Sequence, residues 1–190
     1  MDRVAQDLLD FWLGELKPED WFRVDEGLDS RIRDRWLPIW EEGARGKLRQ
    51  WTVAPRSCLA LVILLDQFPR NMFRGEARAF ASDRLALAVT RGALLAGHDG
   101  RVGLPERSFF YLPLMHSEVQ ADQDRSVRLF LLAFGRDGGH LRHARAHREV
   151  IRRFGRFPYR NAALGRTSTP EEEAFLAQGG YSTLLEQMAA

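Results

Sequence analysis

The chain has 190 residues, of which 45% are hydrophobic and 28% are charged, and its formal net charge at pH 7 is +2. This length favours one ordinary domain, and the composition excludes an intrinsically disordered chain, which would be poorer in apolar residues and less balanced in charge. The single cysteine, Cys58, excludes an intrachain disulfide.

The N-terminal residues predict a short first helix. Val4, Leu8, Phe11 and Trp12 are spaced as one apolar stripe that ends near Gly14. Asp2 and Asp7 lie where a signal peptide would carry basic residues, and the apolar segment that follows them in a signal peptide is missing. We therefore expect a cytoplasmic protein.

The next three predicted helices contain most of the apolar residues. The second, over about 25–42, has one apolar face, whereas the third, over about 55–68, is apolar on every side and is predicted to be the central helix. Its apolar run, residues 58–65, is far shorter than the ~20 residues needed to span a bilayer, so no membrane helix is expected. The fourth helix is predicted over about 76–96.

Four further helices complete the prediction. The fifth begins near Pro105, the sixth covers about 118–134 and the seventh covers about 139–154. The eighth begins at Thr169, where Thr169, Pro170 and Glu172 have the pattern of a capping box. The connections between the predicted helices are short, as expected for helix hairpins. The sequence therefore predicts one all-α domain over residues 1–190, built from about eight helices in antiparallel hairpins.

Two segments, 68–71 and 157–161, share Phe-Pro followed by Arg-Asn. Because proline disfavours helical geometry in the residue before it, each helix is predicted to stop at the phenylalanine and each Arg-Asn pair to lie in a turn. One interpretation is that Arg70 and Arg160 donate to carbonyls at the helix ends, while the asparagines take left-handed turn positions. The other is that both turns meet around an anionic ligand, since a guanidinium binds phosphate or carboxylate bidentately.

Three histidines, His140, His143 and His147, share one stripe of the seventh predicted helix. Together with His116 they could supply zinc ligands, and the candidates are His143, His147 and His116. Neither an HExxH nor a CxxC pattern is present, so the favoured interpretation is half-buried histidines that neighbouring groups satisfy. We therefore expect no metal and no cofactor.

Residues 111–118 predict the end of one helix and the start of another. Pro113 ends the first, Ser117 is a candidate cap, and Glu118 suits the first turn of the next helix. Glu118 would complement the helix dipole or act as a general base with His116 as proton carrier. No GxSxG motif supplies a nucleophile, which weakens the catalytic interpretation.

Residues 136–166 form the one strongly basic stretch. It contains nine arginines against two acids, Asp137 and Glu149, with aromatic residues between them. A nucleic-acid-binding surface has a similar composition, but three glutamates follow at 171–173 and the net charge of the chain is small. Binding of RNA or DNA is therefore the least favoured function.

Three motifs in order resemble the bacterial "domain of unknown function 924" family: DQFPRNMFR at 66–74, YLPLMHSE at 111–118, and RFGRFPYRN at 153–161 with LGR at 164–166. The resemblance implies a fold similar to the tetratricopeptide-repeat-like superfamily, with helix hairpins stacked in a right-handed array. The family often has His where this chain has Tyr159, which weakens a catalytic role there. The resemblance points to these residues: Asp66, Arg70, Asn71, His116, Glu118, His147, Arg156, Arg160 and Asn161.

The leading hypothesis is a binding domain for a peptide or a small anionic ligand, with no membrane partner. Its ligand-binding residues would be Asp66, Arg70, Asn71, Arg156, Arg160 and Asn161. The alternative is a small hydrolase or transferase, with or without a metal, that uses His116, Glu118 and His147. A basic nucleic-acid-binding module is the third hypothesis, and the sequence does not decide whether the protein is an enzyme.

Overall fold

The computed structural model describes residues 1–136 and 138–188, so Asp137 lies outside the described residues. Throughout these two ranges the regular secondary structure is helical, which confirms the all-α class. The α-helices are α1 (Arg3–Leu9), α2 (Glu26–Ala44), α3 (Pro55–Asp66), α4 (Phe68–Met72), α5 (Asp83–Leu95), α6 (Leu112–Met115), α7 (Gln120–Phe134), α8 (Gly139–Phe154), α9 (Pro170–Ala177) and α10 (Gly180–Gln187).

The chain divides into two compact units, unit 1 (Met1–Pro113) and unit 2 (Leu114–Ala190). The single-domain organisation and the stacked, tetratricopeptide-repeat-like array stay predictions. Among the described residues, no helix is both long enough and apolar enough to cross a membrane.

Unit 1 is built around α3, as predicted. Every residue of α3 from Ser57 to Asp66 is buried, and α1, α2, α4 and α5 all contact this helix. Aromatic rings close the core nearby, where Phe68 packs against Trp12 with ring centroids 5.3 Å apart. A helix that is apolar on all sides is stable only when other elements cover it, and here they do.

The predicted end of the third helix at Phe68 is wrong. Helix α3 ends at Asp66, and a second short helix, α4, begins at Phe68 with Pro69 in its first turn. Pro69 has no N–H to donate to the carbonyl of Leu65, four residues before it. The hydroxyl of Ser82 donates to that carbonyl instead, at 2.6 Å. The chain therefore restarts a helix after the proline because a distant side chain satisfies the carbonyl.

The predicted fourth helix is also interrupted. Residues Ala77–Phe80 form a 3-10 helix, and α5 begins only at Asp83.

Unit 2 contains the hairpin of α7 and α8, with α10 packed on α8. Helix α8 has the predicted bounds, and it ends because Gly155 takes a left-handed conformation with φ +68°. The helix therefore stops before the Phe157-Pro158 pair, and Pro158–Arg160 forms a separate 3-10 helix. A small core beside these elements contains Val150, Ile151, Phe157, Phe175 and Leu184.

The capping box of α9 is confirmed. The hydroxyl of Thr169 accepts from the N–H of Glu172 at 3.2 Å, and the carboxylate of Glu172 accepts from the N–H of Thr169 at 2.8 Å. We expect Thr169→Ala to lower the free energy of unfolding by about 1 kcal/mol, because one helix N–H loses its acceptor. Urea denaturation measures this, with Thr167→Ala, also on an exposed threonine, as the control. Equal effects of the two substitutions would contradict a capping role.

Candidate functional site

The predicted binding residues of unit 1 form internal pairs. Arg70 donates to both carboxylate oxygens of Asp83, at 2.9 and 3.0 Å, and to the backbone carbonyl of Asp66. The carboxylate of Asp66 is buried and accepts from the amide of Gln67 at 2.5 Å. Asp66 is the last residue of α3, so this contact is the one expected if Arg70 donates to a carbonyl at a helix end.

Asn71 donates through Nδ2 to Oδ1 of Asp29 at 2.8 Å, and Arg74 donates to both oxygens of the same carboxylate. Asp29 is buried, so these donors satisfy a charge that has little access to water. The predicted left-handed turn position is wrong for Asn71, which lies inside α4, and for Asn161, which has helical φ and ψ of −58° and −47°.

Unit 2 repeats this arrangement. Asn161 donates to Oε2 of Glu172 at 3.2 Å, and Arg156 donates to both oxygens of that carboxylate at 2.6 and 2.7 Å. Glu172 is 2% exposed. The hydrogen bonds from Arg156 lower the pKa of Glu172 to about 2, although burial opposes them. In both units, the asparagine of the Arg-Asn pair therefore donates to a buried carboxylate. A different arginine binds the same carboxylate through both of its oxygens, Arg74 in unit 1 and Arg156 in unit 2.

A surface pocket of about 400 Å³ lies beside this pair. It is lined by Arg153, Phe154, Arg156, Thr169, Glu171 and Glu172. Arg156 is bound to Glu172 and also donates to the carbonyl of Thr167 at 2.9 Å, so its charge is already neutralised within unit 2.

Glu118 is half-buried and its oxygens accept several hydrogen bonds. The backbone N–H of Phe157 donates to Oε1 at 2.9 Å, and Arg166 donates to both oxygens at 2.9 and 3.1 Å. Burial raises the pKa of Glu118, but the hydrogen bonds from Arg166 and Phe157 and the charge of Arg160 outweigh it, so the pKa lies below its usual value. The carboxylate is therefore ionised and a weak base.

The predicted position of Glu118 in a first helical turn is wrong. Helix α7 begins at Gln120, and its N-cap Val119 has no side-chain cap. Ser117, the expected cap, accepts from the N–H of Val119 at 3.2 Å and donates to Asp122 at 2.7 Å.

His147 is half-buried and has one ring nitrogen fixed by the backbone. Its Nδ1 lies 2.9 Å from the carbonyl oxygen of His143, and because a carbonyl only accepts, Nδ1 carries the hydrogen. Burial, with smaller effects from the charges of His116 and Arg160, lowers the pKa of His147 to about 3. The ring is therefore neutral at pH 7. Its Nε2 carries a lone pair, and no described residue donates a hydrogen bond to it.

Four aromatic side chains of unit 2, His147, Phe157, Tyr159 and Tyr181, contact one another in a closed circuit, which we call the four-ring cluster. The centroid distances are 5.5 Å from His147 to Phe157, 5.3 Å from Phe157 to Tyr159, 6.3 Å from Tyr159 to Tyr181 and 4.7 Å from Tyr181 to His147. Tyr159 is 40% exposed, so the cluster reaches the surface.

Arg160 lies at the four-ring cluster, and Arg142 is close enough to Tyr181 for its charge to affect the pKa of that residue. The guanidinium carbon of Arg160 lies 4.4 Å from the centroid of Phe157, and this residue is buried. Arg142 is exposed, and within the described ranges it has neither a hydrogen bond nor an ion pair. Burial lowers the pKa of His143, whose Nδ1 lies 2.7 Å from the Tyr181 hydroxyl, and the charge of Arg142 lowers it further.

The structure thus brings four predicted residues together in unit 2. Phe157 links them: its N–H binds Glu118, and its ring contacts His147 and Arg160. The ring of His116 lies 6.2 Å from that of His147. Arg70 belongs to unit 1, so its convergence with Arg160 stays a prediction.

The sequence did not single out Arg142 or Tyr181. Arg142 is one of nine arginines in a basic stretch, and its spacing from His147 carries no recognised motif. Several of those nine are paired, as Arg152 is with Glu149 and Arg148 with Asp124. Tyr181 follows two glycines, Gly179 and Gly180, and no local signal relates it to α8.

No group of three or more His, Cys, Asp or Glu side chains within 1–136 and 138–188 is arranged to hold a metal ion. Cys58 is buried, and burial raises the pKa of its thiol to about 12. This thiol therefore stays protonated and is a poor nucleophile.

A family model described as "Bacterial protein of unknown function (DUF924)" matches residues 8–180. A solved structure of a protein of unknown function from Agrobacterium tumefaciens is 42% identical to this chain, with a TM-score of 0.87. The match covers 92% of this chain and 97% of that one. No curated protein matches the sequence.

Proposed function

We propose, from the premise that this chain belongs to the DUF924 family of bacterial proteins, that it binds a small anionic ligand at the four-ring cluster of unit 2. The observation that carries the proposal is the position of Arg142. Its exposed guanidinium has no ion pair within the described ranges and lies close enough to His143 and Tyr181 for its charge to affect the pKa of both. A guanidinium in this position is suited to a carboxylate or phosphate.

The other predicted anion-binding arginines support the proposal less well. Arg70 and Arg156 each bind a carboxylate bidentately within their own unit. An added anion would have to displace these acids. An anion can bind Arg142 without displacing an acid of any described residue.

The pKa values favour binding over acid-base catalysis. A general acid or base works best when its pKa lies near the working pH. The pKa of His147 is about 3 and that of Glu118 lies below its usual value, so neither group exchanges protons readily at pH 7. The hydrolase or transferase hypothesis therefore receives no support from these two groups.

We expect phenyl phosphate to bind the wild-type protein in isothermal titration calorimetry at low salt. Arg142→Ala should weaken this binding by about tenfold, the value of one charge-assisted contact at an accessible site. The control is Arg125→Ala, because Arg125 is also exposed and also lacks a described ion pair. It removes the same charge from unit 2 and should change the affinity little.

Two results would contradict the proposal. One is the absence of binding by phenyl phosphate and inorganic phosphate alike. The other is an equal loss in Arg125→Ala and Arg142→Ala, which would indicate a general effect of positive charge.

A further inference from the structure

We infer that the surface pocket of unit 2 binds a free α-amino acid with an apolar side chain, whose carboxylate contacts Arg153 and whose ammonium group contacts Glu171. This is the pocket of about 400 Å³ beside the pair of Arg156 and Glu172. The inference is independent of the anion site proposed above, since the described residues that line the pocket include neither Arg142 nor a member of the four-ring cluster.

Arg153 has a guanidinium that is held in place and still has donors to offer. Its guanidinium carbon lies 5.1 Å from the ring centroid of Phe154 and 5.4 Å from that of Phe175. The side chain is exposed, and within the described ranges it has neither a hydrogen bond nor an ion pair. Its charge helps to lower the pKa of Glu149, but both oxygens of that carboxylate already accept from Arg152, at 2.7 Å each. Arg153 is therefore available to a carboxylate of a ligand.

Glu171 supplies the opposite charge in the same pocket. It is exposed, and within 1–136 and 138–188 it has neither a hydrogen bond nor an ion pair, with Arg153 or with any other residue. The two other charged residues of the pocket, Arg156 and Glu172, bind each other through two hydrogen bonds, so their charges cancel. The pocket therefore presents one uncompensated positive charge and one uncompensated negative charge.

This pair of charges selects a ligand that carries both signs. A simple anion at Arg153 would be repelled by Glu171, and a simple cation at Glu171 would be repelled by Arg153. The pocket lies near the lower end of the ~300–1,000 Å³ range of ligand sites, so the two charges of the ligand have to lie close together. The ammonium and carboxylate groups of an α-amino acid share one carbon atom and meet this requirement. The ring of Phe154 lines the same pocket and offers an apolar contact to the side chain of the ligand.

The experiment titrates the whole chain with three ligands of matched shape, followed by heteronuclear NMR, which measures affinities into the millimolar range. The ligands are L-leucine, 4-methylpentanoate, which lacks the ammonium group, and 3-methylbutylamine, which lacks the carboxylate. L-Leucine should bind at least about tenfold more tightly than either analogue, because one charge-assisted contact contributes about that much.

Two substitutions assign the two charges. Arg153→Ala should weaken L-leucine and 4-methylpentanoate by about tenfold without weakening 3-methylbutylamine, and the retained amine affinity shows that the pocket is intact. Glu171→Gln should weaken L-leucine and 3-methylbutylamine without weakening 4-methylpentanoate. The matched controls are Arg145→Ala on α8 and Glu173→Gln on α9, which remove the same charges from exposed positions of the same helices. Both should change the affinity for L-leucine little.

Four outcomes overturn the inference. If L-leucine does not bind, the pocket is not an amino-acid site. If 4-methylpentanoate binds as tightly as L-leucine, the ammonium group is not recognised. If a control variant loses as much affinity as the matching pocket variant, binding reflects charge in general. If Arg142→Ala weakens L-leucine, the ligand lies at the four-ring cluster instead. A failure of the proposed function, measured with phenyl phosphate, leaves all four of these outcomes separately decidable.

Discussion

Glu172→Gln is expected to lower the free energy of unfolding by about 3 kcal/mol. The substitution keeps the shape of the side chain and its capping oxygen but removes the charge that binds Arg156. Removing one partner of a buried ion pair leaves the other uncompensated. The effect falls at the low end of the usual range because the Arg156 side chain is 28% exposed and keeps partial access to water.

Equilibrium urea denaturation at pH 7 measures this effect. The matched control is Glu173→Gln on the same helix, an exposed glutamate that should cost within about 0.5 kcal/mol. Similar costs at both positions would mean that the loss of helix-dipole charge, rather than the pair with Arg156, explains the result.

Lowering the pH from 7 to 4.5 is expected to destabilise the native protein by about 2–3 kcal/mol through His147. The pKa of this ring is 6.5 in an unfolded chain and about 3 in the folded protein. The unfolded chain therefore binds a proton below pH 6.5 that the native protein excludes. Stability is fully present above pH 6.5 and falls by about 1.4 kcal/mol per pH unit until the folded pKa is reached.

The neighbours of His147 affect how this is measured. His140 and His143 also have lowered pKa values, and His116 and Arg160 face the same ring. We therefore compare the pH dependence of wild type and His147→Asn rather than their absolute stabilities. The window ends at pH 4.5 because Glu172, with a pKa of about 2, loses its own contribution below the usual value of 4.5.

The expected result is a shallower slope for His147→Asn between pH 6.5 and 4.5. An unchanged slope would mean that burial does not lower the pKa of His147 in the folded protein.

Local patterns in the sequence determined the helical class, the bounds of α8 and the capping box of α9. In each case the signal and the structure lie within a few residues. The N–H of Glu172 finds its acceptor at Thr169, three positions away. Apolar character on every side of α3 also sufficed to predict its burial, because such a helix is stable only when covered.

The proline rule misplaced the helix end at both Phe-Pro segments, although the apolar periodicity gave the correct end of α8 at Phe154. A proline shows which carbonyl loses its donor, but the sequence does not show what replaces that donor. At Pro69 the replacement is Ser82, seventeen residues from Leu65, and the helix resumes. At Pro158 the helix has already ended at Gly155, three residues earlier.

The sequence by itself determined which residue types were available for a site: histidines on one face of a helix, arginines in excess and acids close to them. Only the tertiary structure decided which arginines are paired, because a pair such as Arg74 with Asp29 forms across 45 residues of chain. The same holds for Tyr181, which reaches His143 from 38 residues away. Electrostatic and ring contacts depend on distance in space, and helix packing sets that distance without leaving a periodic signal in the sequence.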